Sequence, residues 1–74
     1  MMYTIKGKYP VSCDSIDKTI EVLESTAGII IKKPISITDT YKVYCDSEHY
    51  LELADTFEEA LQYANQLIEK WAKN

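Results

Sequence analysis

The sequence predicts an α+β fold: a two-layer sandwich in which an antiparallel meander carries two helices on one face, in the order β-α-β-β-β-α. Three observations lead there. Residues 14–27 and 56–71 repeat apolar side chains at helical spacing, whereas the remaining segments alternate at period two. The clusters at 38–40 and 46–48 are turn-forming and short, which makes the strands they join antiparallel neighbours. At 74 residues, finally, the chain has room for one domain, 1–74, built around one core.

Each element has its own local reason. In residues 2–9, Tyr3, Ile5 and Tyr9 alternate with Thr4, Lys6 and Lys8, a half-buried strand with Gly7 as a bulge. Pro10 ends that ladder, and both edges of the meander are open to it. Ile16, Ile20, Leu23 and Ala27 step by four, three and four, a single helical stripe. Asp14 or Ser15 supplies its N-cap, and Gly28 stands where a left-handed C-cap belongs. Ile29, Ile31, Ile35 and Ile37 share a strand parity, interrupted by Lys33 and Pro34. Tyr41, Val43 and Cys45 alternate with Lys42 and Tyr44 in the next strand. After the Asp46-Ser47-Glu48 turn, residues 49–54 set Leu51 and Leu53 against Tyr50 and Glu52, and hydrophobicity assigns the leucines to the core.

The last helix is the most legible element. Thr56-Phe57-Glu58-Glu59 reads as a capping box. Phe57, Ala60, Leu61, Ala64, Leu67, Ile68 and Trp71 form its apolar face, while Glu58, Gln62, Asn65 and Glu69 read as a mild outer face. Acids at the start and Lys70 and Lys73 at the end match the helix dipole.

Composition narrows function. Eight lysines and no arginine stand against twelve acids, a net charge of −4. Arginine reads guanine edges and forks onto phosphates, so its absence argues against sequence-specific DNA recognition. The longest apolar run, Gly28-Ile29-Ile30-Ile31, is far too short to span a bilayer. Residues 1–6 carry no signal-peptide pattern, so the expected location is cytoplasmic. Cys13 and Cys45 lie 32 residues apart with no CxxC, and His49 is the single imidazole, so no metal or cofactor is expected. Catalytic pairing of Cys13 or Cys45 with His49 is the thiol-enzyme alternative. Phosphate loops, HExxH and GxSxG are absent, and the expectation is a protein with no catalytic residues.

Two surfaces remain as binding candidates. Asp14, Asp17, Glu21 and Glu24 step along one side of the first helix in a row of about 15 Å. Only Lys18 and Lys32/Lys33 are near in sequence, so the row reads as poorly neutralised. The uncovered sheet face is expected to show Thr4, Lys6, Lys8, Lys42, Tyr44, Tyr50 and Glu52. That mixture is found both on solvent-facing strands and on sheets that stack bases, and tyrosine is also enriched at protein interfaces.

The αβββα portion is similar in element order to the double-stranded-RNA-binding domain. That domain's second helix starts with a lysine cluster where this one has Thr56-Phe57-Glu58-Glu59, so the likeness implies order alone. In class, a short, acidic, arginine-free chain resembles the small inhibitors carried by phages and other mobile elements. The expected function is therefore a non-enzymatic protein-interaction module, in its narrowest form an inhibitor occupying a basic groove of a host nucleic-acid-handling or defence protein. Asp14, Asp17, Glu21, Glu24, Tyr44 and Tyr50 are its partner-binding candidates. The alternatives are a nucleic-acid module using a Lys/Tyr sheet face and a small regulatory homodimer.

Overall fold

A computed structural model of the chain describes residues 2–72. Lys73, expected to match the dipole of the last helix, lies outside them. The elements are β1 (Tyr3–Ile5), β2 (Val11–Cys13), α1 (Ile16–Ala27), β3 (Ile30–Lys32), β4 (Tyr41–Cys45), β5 (Tyr50–Ala54) and α2 (Phe57–Ala72), with a 3₁₀ turn at Asp46–Glu48. The α+β class holds, and so does the order, with the first strand doubled into a hairpin. β3, β4 and β5 form an antiparallel sheet in that spatial order. Ile31, Val43, Cys45 and Ala54 on one sheet face join Leu23 of α1 and Phe57, Ala60, Leu61, Ala64 and Leu67 of α2 in a single core.

Both helices begin and end as local chemistry dictates. In α1 the Ser15 hydroxyl accepts from the Lys18 N–H (3.1 Å), and Gly28 takes φ 67°, where its N–H reaches the Glu24 carbonyl. A side chain at that φ would be strained, which is why glycine stands there. In α2 the Thr56 hydroxyl accepts from the Glu59 N–H (3.1 Å). At the far end the Trp71 indole N–H donates to the Glu48 carboxylate, which ties the helix to the β4–β5 turn.

The first strand joins neither edge of the meander. β1 pairs with β2, Tyr3 opposite Cys13 and Ile5 opposite Val11. The free edge of β1 is met by a side chain: Asn65 Oδ1 accepts from the Lys6 N–H (2.9 Å), and Asn65 Nδ2 donates to the Thr4 carbonyl (3.0 Å). Asn65 thus supplies the donor and acceptor that a neighbouring strand would. It is 9% exposed and inside the molecule, not on a mild outer face. Gly7 holds φ 149°, a conformation that side-chain-bearing residues rarely adopt; a Cβ there would meet Ile68 only at ordinary contact distance, 3.4 Å. Tyr3 meets Phe57 edge-on, ring centroids 5.0 Å apart, and Tyr41 lies against the same ring at 5.9 Å.

β3 stops at Lys32, short of the expected run to Ile37. Pro34 offers no N–H to a ladder, and residues 33–40 form a loop instead. Asp39 organises that loop, accepting from the Ile35 N–H (3.0 Å) and from Lys42 Nζ (2.8 Å). Ile35 and Ile37 are left fully exposed.

Candidate interaction surface

One residue of loop length decides what the open sheet face looks like. A three-residue turn at 46–48 would pair Cys45 with His49 and send Leu51 and Leu53 inward. The chain uses four residues, with His49 in the left-handed region (φ 50°), and pairs Cys45 with Tyr50. Residues opposite one another share a face, so a one-residue slip reverses every side chain of the strand. Val43 and Cys45 face the helices, hence their partners Glu52 and Tyr50 do too, and Leu51 and Leu53 face outward. Ala54 alone of β5 is fully buried, opposite Tyr41, whose ring lies on Phe57. A small residue fits beneath that aromatic pair.

The outer face therefore differs from expectation. Its two cross-strand rows are Ile30–Tyr44–Leu51 and Lys32–Lys42–Leu53. Leu51 and Leu53 are 65% and 53% exposed, and Ile30 and Tyr44 are half-buried. Lys32 Nζ stands 5.7 Å from the Tyr44 ring centroid, a cation–π distance. Neither α1 nor α2 lies on this face: both contribute to the core on the other side. Thr4 and the backbone of Lys6 belong to the separate β1–β2 hairpin, so the Lys/Tyr mixture anticipated on one sheet is dispersed.

Of the expected partner-binding residues, Tyr44 lies on the outer face as anticipated. Tyr50 does not: it packs against the core from the inner face. Burial pushes its hydroxyl pKa upward, with Glu52 and Tyr63 adding to the effect. Tyr63 is raised in the same way by burial and by the carboxylates of Glu52 and Glu59. Asp14, Asp17, Glu21 and Glu24 are all exposed, but Asp14 precedes the Ser15 cap and so lies outside the helix; the other three share one side of α1. The row is better neutralised than the sequence implies. Asp17 is paired with Lys33 at 2.6 Å and Glu21 with Lys18 at 3.7 Å. Lys33 arrives from the loop after β3, and its hydrogen bond to Asp17 raises its pKa.

Neither thiol is paired with the imidazole. Cys13 and Cys45 are free and buried, and Cys45 Sγ lies 3.2 Å from the Ser47 hydroxyl, while His49 is exposed. Among the described residues, no three His, Cys, Asp or Glu side chains cluster as metal ligands, and no helix is long and apolar enough to cross a membrane. A second open region, a cleft of about 660 Å³, lies between the hairpin and the C-terminal ends of both helices, lined by Ile5, Tyr9, Val11, Ala27, Ile68 and Trp71.

Fold and surface together define a small α+β protein whose antiparallel sheet is covered on one face and bare on the other. No protein-family model matches the chain, and neither does any curated protein or solved structure.

Proposed function

We propose that the chain is a non-enzymatic protein-interaction module of the cytoplasm that works through its open sheet face. The observation that carries this reading is the exposure of Leu51 and Leu53, 65% and 53%, side by side with Tyr44 and Ile30 on a face that no helix covers. Small domains have little apolar surface to spare, and contiguous exposed patches of a few hundred Å² mark interaction sites. Aromatic Tyr44 and the flanking lysines give the centre-and-rim composition that protein interfaces use.

The acidic side of α1 points to a basic partner. Glu24 on that side, and Asp14 just before the helix, have no lysine partner among the described residues, and the chain carries a net −4. That favours the narrower reading, an inhibitor that meets a basic groove of a nucleic-acid-handling protein. Direct binding of nucleic acid by the sheet has less support, because Tyr50 and Glu52 face inward and, of the expected Lys/Tyr set, Lys42 and Tyr44 lie on the open face, joined there by Lys32.

A photo-reactive amino acid placed singly at 51, 53 or 62, in cells that make the protein, tests the reading. Position 62 is an exposed site on α2 and serves as the control. Adducts with protein at 51 and 53 but not at 62 are expected. No adduct at 51 or 53, or equal labelling at 62, removes the sheet face from the account.

A further inference from the structure

The open sheet face is self-complementary in charge as well as apolar, and we infer that its occupant is a second copy of this chain. The inference rests on the reading of that face as an interaction surface. Along β4 the outward residues are Lys42 and Tyr44; beyond the strand, Asp46 follows extended Cys45 as the exposed first residue of the 3₁₀ turn, two positions on from Tyr44. Two residues of extended chain separate each neighbour, about 6.8 Å. Tyr44 is thus the midpoint between a cation and an anion.

Two sheets stacked face to face about a two-fold axis reverse strand direction when that axis lies in the interface across the strands. If it passes along the row Ile30–Tyr44–Leu51, each of those residues meets its own copy. Lys42 of one chain then lies over Asp46 of the other, and the reverse contact forms at the opposite end. The two lysine-bearing ends are kept apart. Both helices occupy the far side of each sheet, so they do not obstruct the stack, and each copy keeps its α1 acids turned away from the contact.

Size sets the expected strength. A face three strands wide, five residues long along β4 and β5 and three along β3, measures at most about 15 by 17 Å, a flat area of about 255 Å² that side-chain relief enlarges to roughly 400 Å² of accessible surface per copy, at the low end for specific interfaces. That is just under a tenth of the 5063 Å² total surface. Area alone does not fix affinity, so we set the expected dissociation constant on the order of 10 µM, just weaker than the micromolar-to-picomolar range of standard-sized interfaces.

Sedimentation velocity of the full chain, from about 1 to 300 µM to bracket that constant, is the test. The weight-average mass should climb toward twice that of the monomer. Leu51→Lys should weaken association at least tenfold while leaving the far-UV circular dichroism unchanged, because the side chain is 65% exposed. Lys42→Asp and Asp46→Lys should each weaken it about tenfold, and the double variant K42D/D46K should return it to within about threefold, since like charges facing across an interface repel and the exchanged pair attracts. Loss of the Lys42–Asp39 contact is common to the single K42D and the double variant, so the recovery reports on the contact between copies. A monomer at every concentration, a dimer indifferent to Leu51→Lys, or a double variant that does not recover overturns the inference. If the protein is monomeric yet positions 51 and 53 still cross-link to another protein, the face is an interaction surface and the second copy is the wrong occupant.

Discussion

Replacing Asn65 by Ala should destabilise the fold markedly, although the sequence places that residue on the helix's polar side. The substitution removes an acceptor 2.9 Å from the Lys6 N–H and a donor 3.0 Å from the Thr4 carbonyl. A hydrogen bond contributes about 1 kcal/mol net, and a buried polar group left without a partner costs about 1–3 kcal/mol. Both orphaned groups lie on a strand edge with some access to water, so we take about 2–3 kcal/mol for the pair. In a domain of this size that is a fall in Tm of about 10–20 °C, at about 4–8 °C per kcal/mol. Thermal unfolding followed by far-UV circular dichroism measures the fall, and hydrogen exchange at the Lys6 amide locates it. A drop below about 4 °C, or a Lys6 amide as protected as in the wild type, would show that the hairpin is held by its apolar contacts alone and refute the reasoning. The N65D variant adds a check of sign. Its carboxyl would keep the Lys6 N–H, which favours the charged form, but would be partly buried against the Thr4 carbonyl, which favours the protonated one; we take the second effect as the larger, which puts the folded pKa above the unfolded value. Its stability relative to wild type is then greatest below the unfolded carboxylate pKa and is lost as pH rises through the folded one.

Further outcomes follow from the same contacts. Leu23→Ala removes a fully buried side chain and should cost about 2–5 kcal/mol by urea titration, enough to leave a domain this small largely unfolded at 37 °C. Gly28→Ala meets no atom within 4 Å but must hold φ 67°, so its cost should be only about 1 kcal/mol, seen as a lower urea midpoint with an unchanged slope. Asp39, held by Lys42 and by the Ile35 and Thr40 N–H groups, has its pKa lowered to about 2; a depressed carboxylate stabilises above its unfolded pKa and loses that contribution as pH falls through about 2. A side-chain carboxyl NMR titration should place its midpoint there, and Lys42→Met should move it up. Cys13 and Cys45 are buried, so both should react slowly with a thiol reagent at neutral pH and quickly in denaturant; one fast thiol in the folded protein would revive the thiol-enzyme alternative.

Much of this molecule was determined by the sequence alone, and the determined part is local. The Ser15 and Thr56 caps, the Gly28 terminator, the stripe of α1 and the apolar face of α2 depend on residues at most a few positions apart, and all are where the spacing puts them. The order of elements follows from them. What tertiary structure decided depends on partners distant in the chain. Asn65 is 59 residues from Lys6, and nothing near it in sequence shows that a bare strand edge will arrive to use its amide. Lys33 reaches Asp17 across 16 positions, so the acidic row is better neutralised than α1 by itself would suggest. The face of β5 is the plainest case. Apolar alternation assigns Leu51 and Leu53 to the core, yet alternation fixes only which residues travel together, not which side they take. The side was chosen by the register across the 46–49 turn, where His49 adds one residue, and by the space beneath Phe57 that accepts Ala54. Local chemistry shaped the elements; register and packing decided which surface was left open.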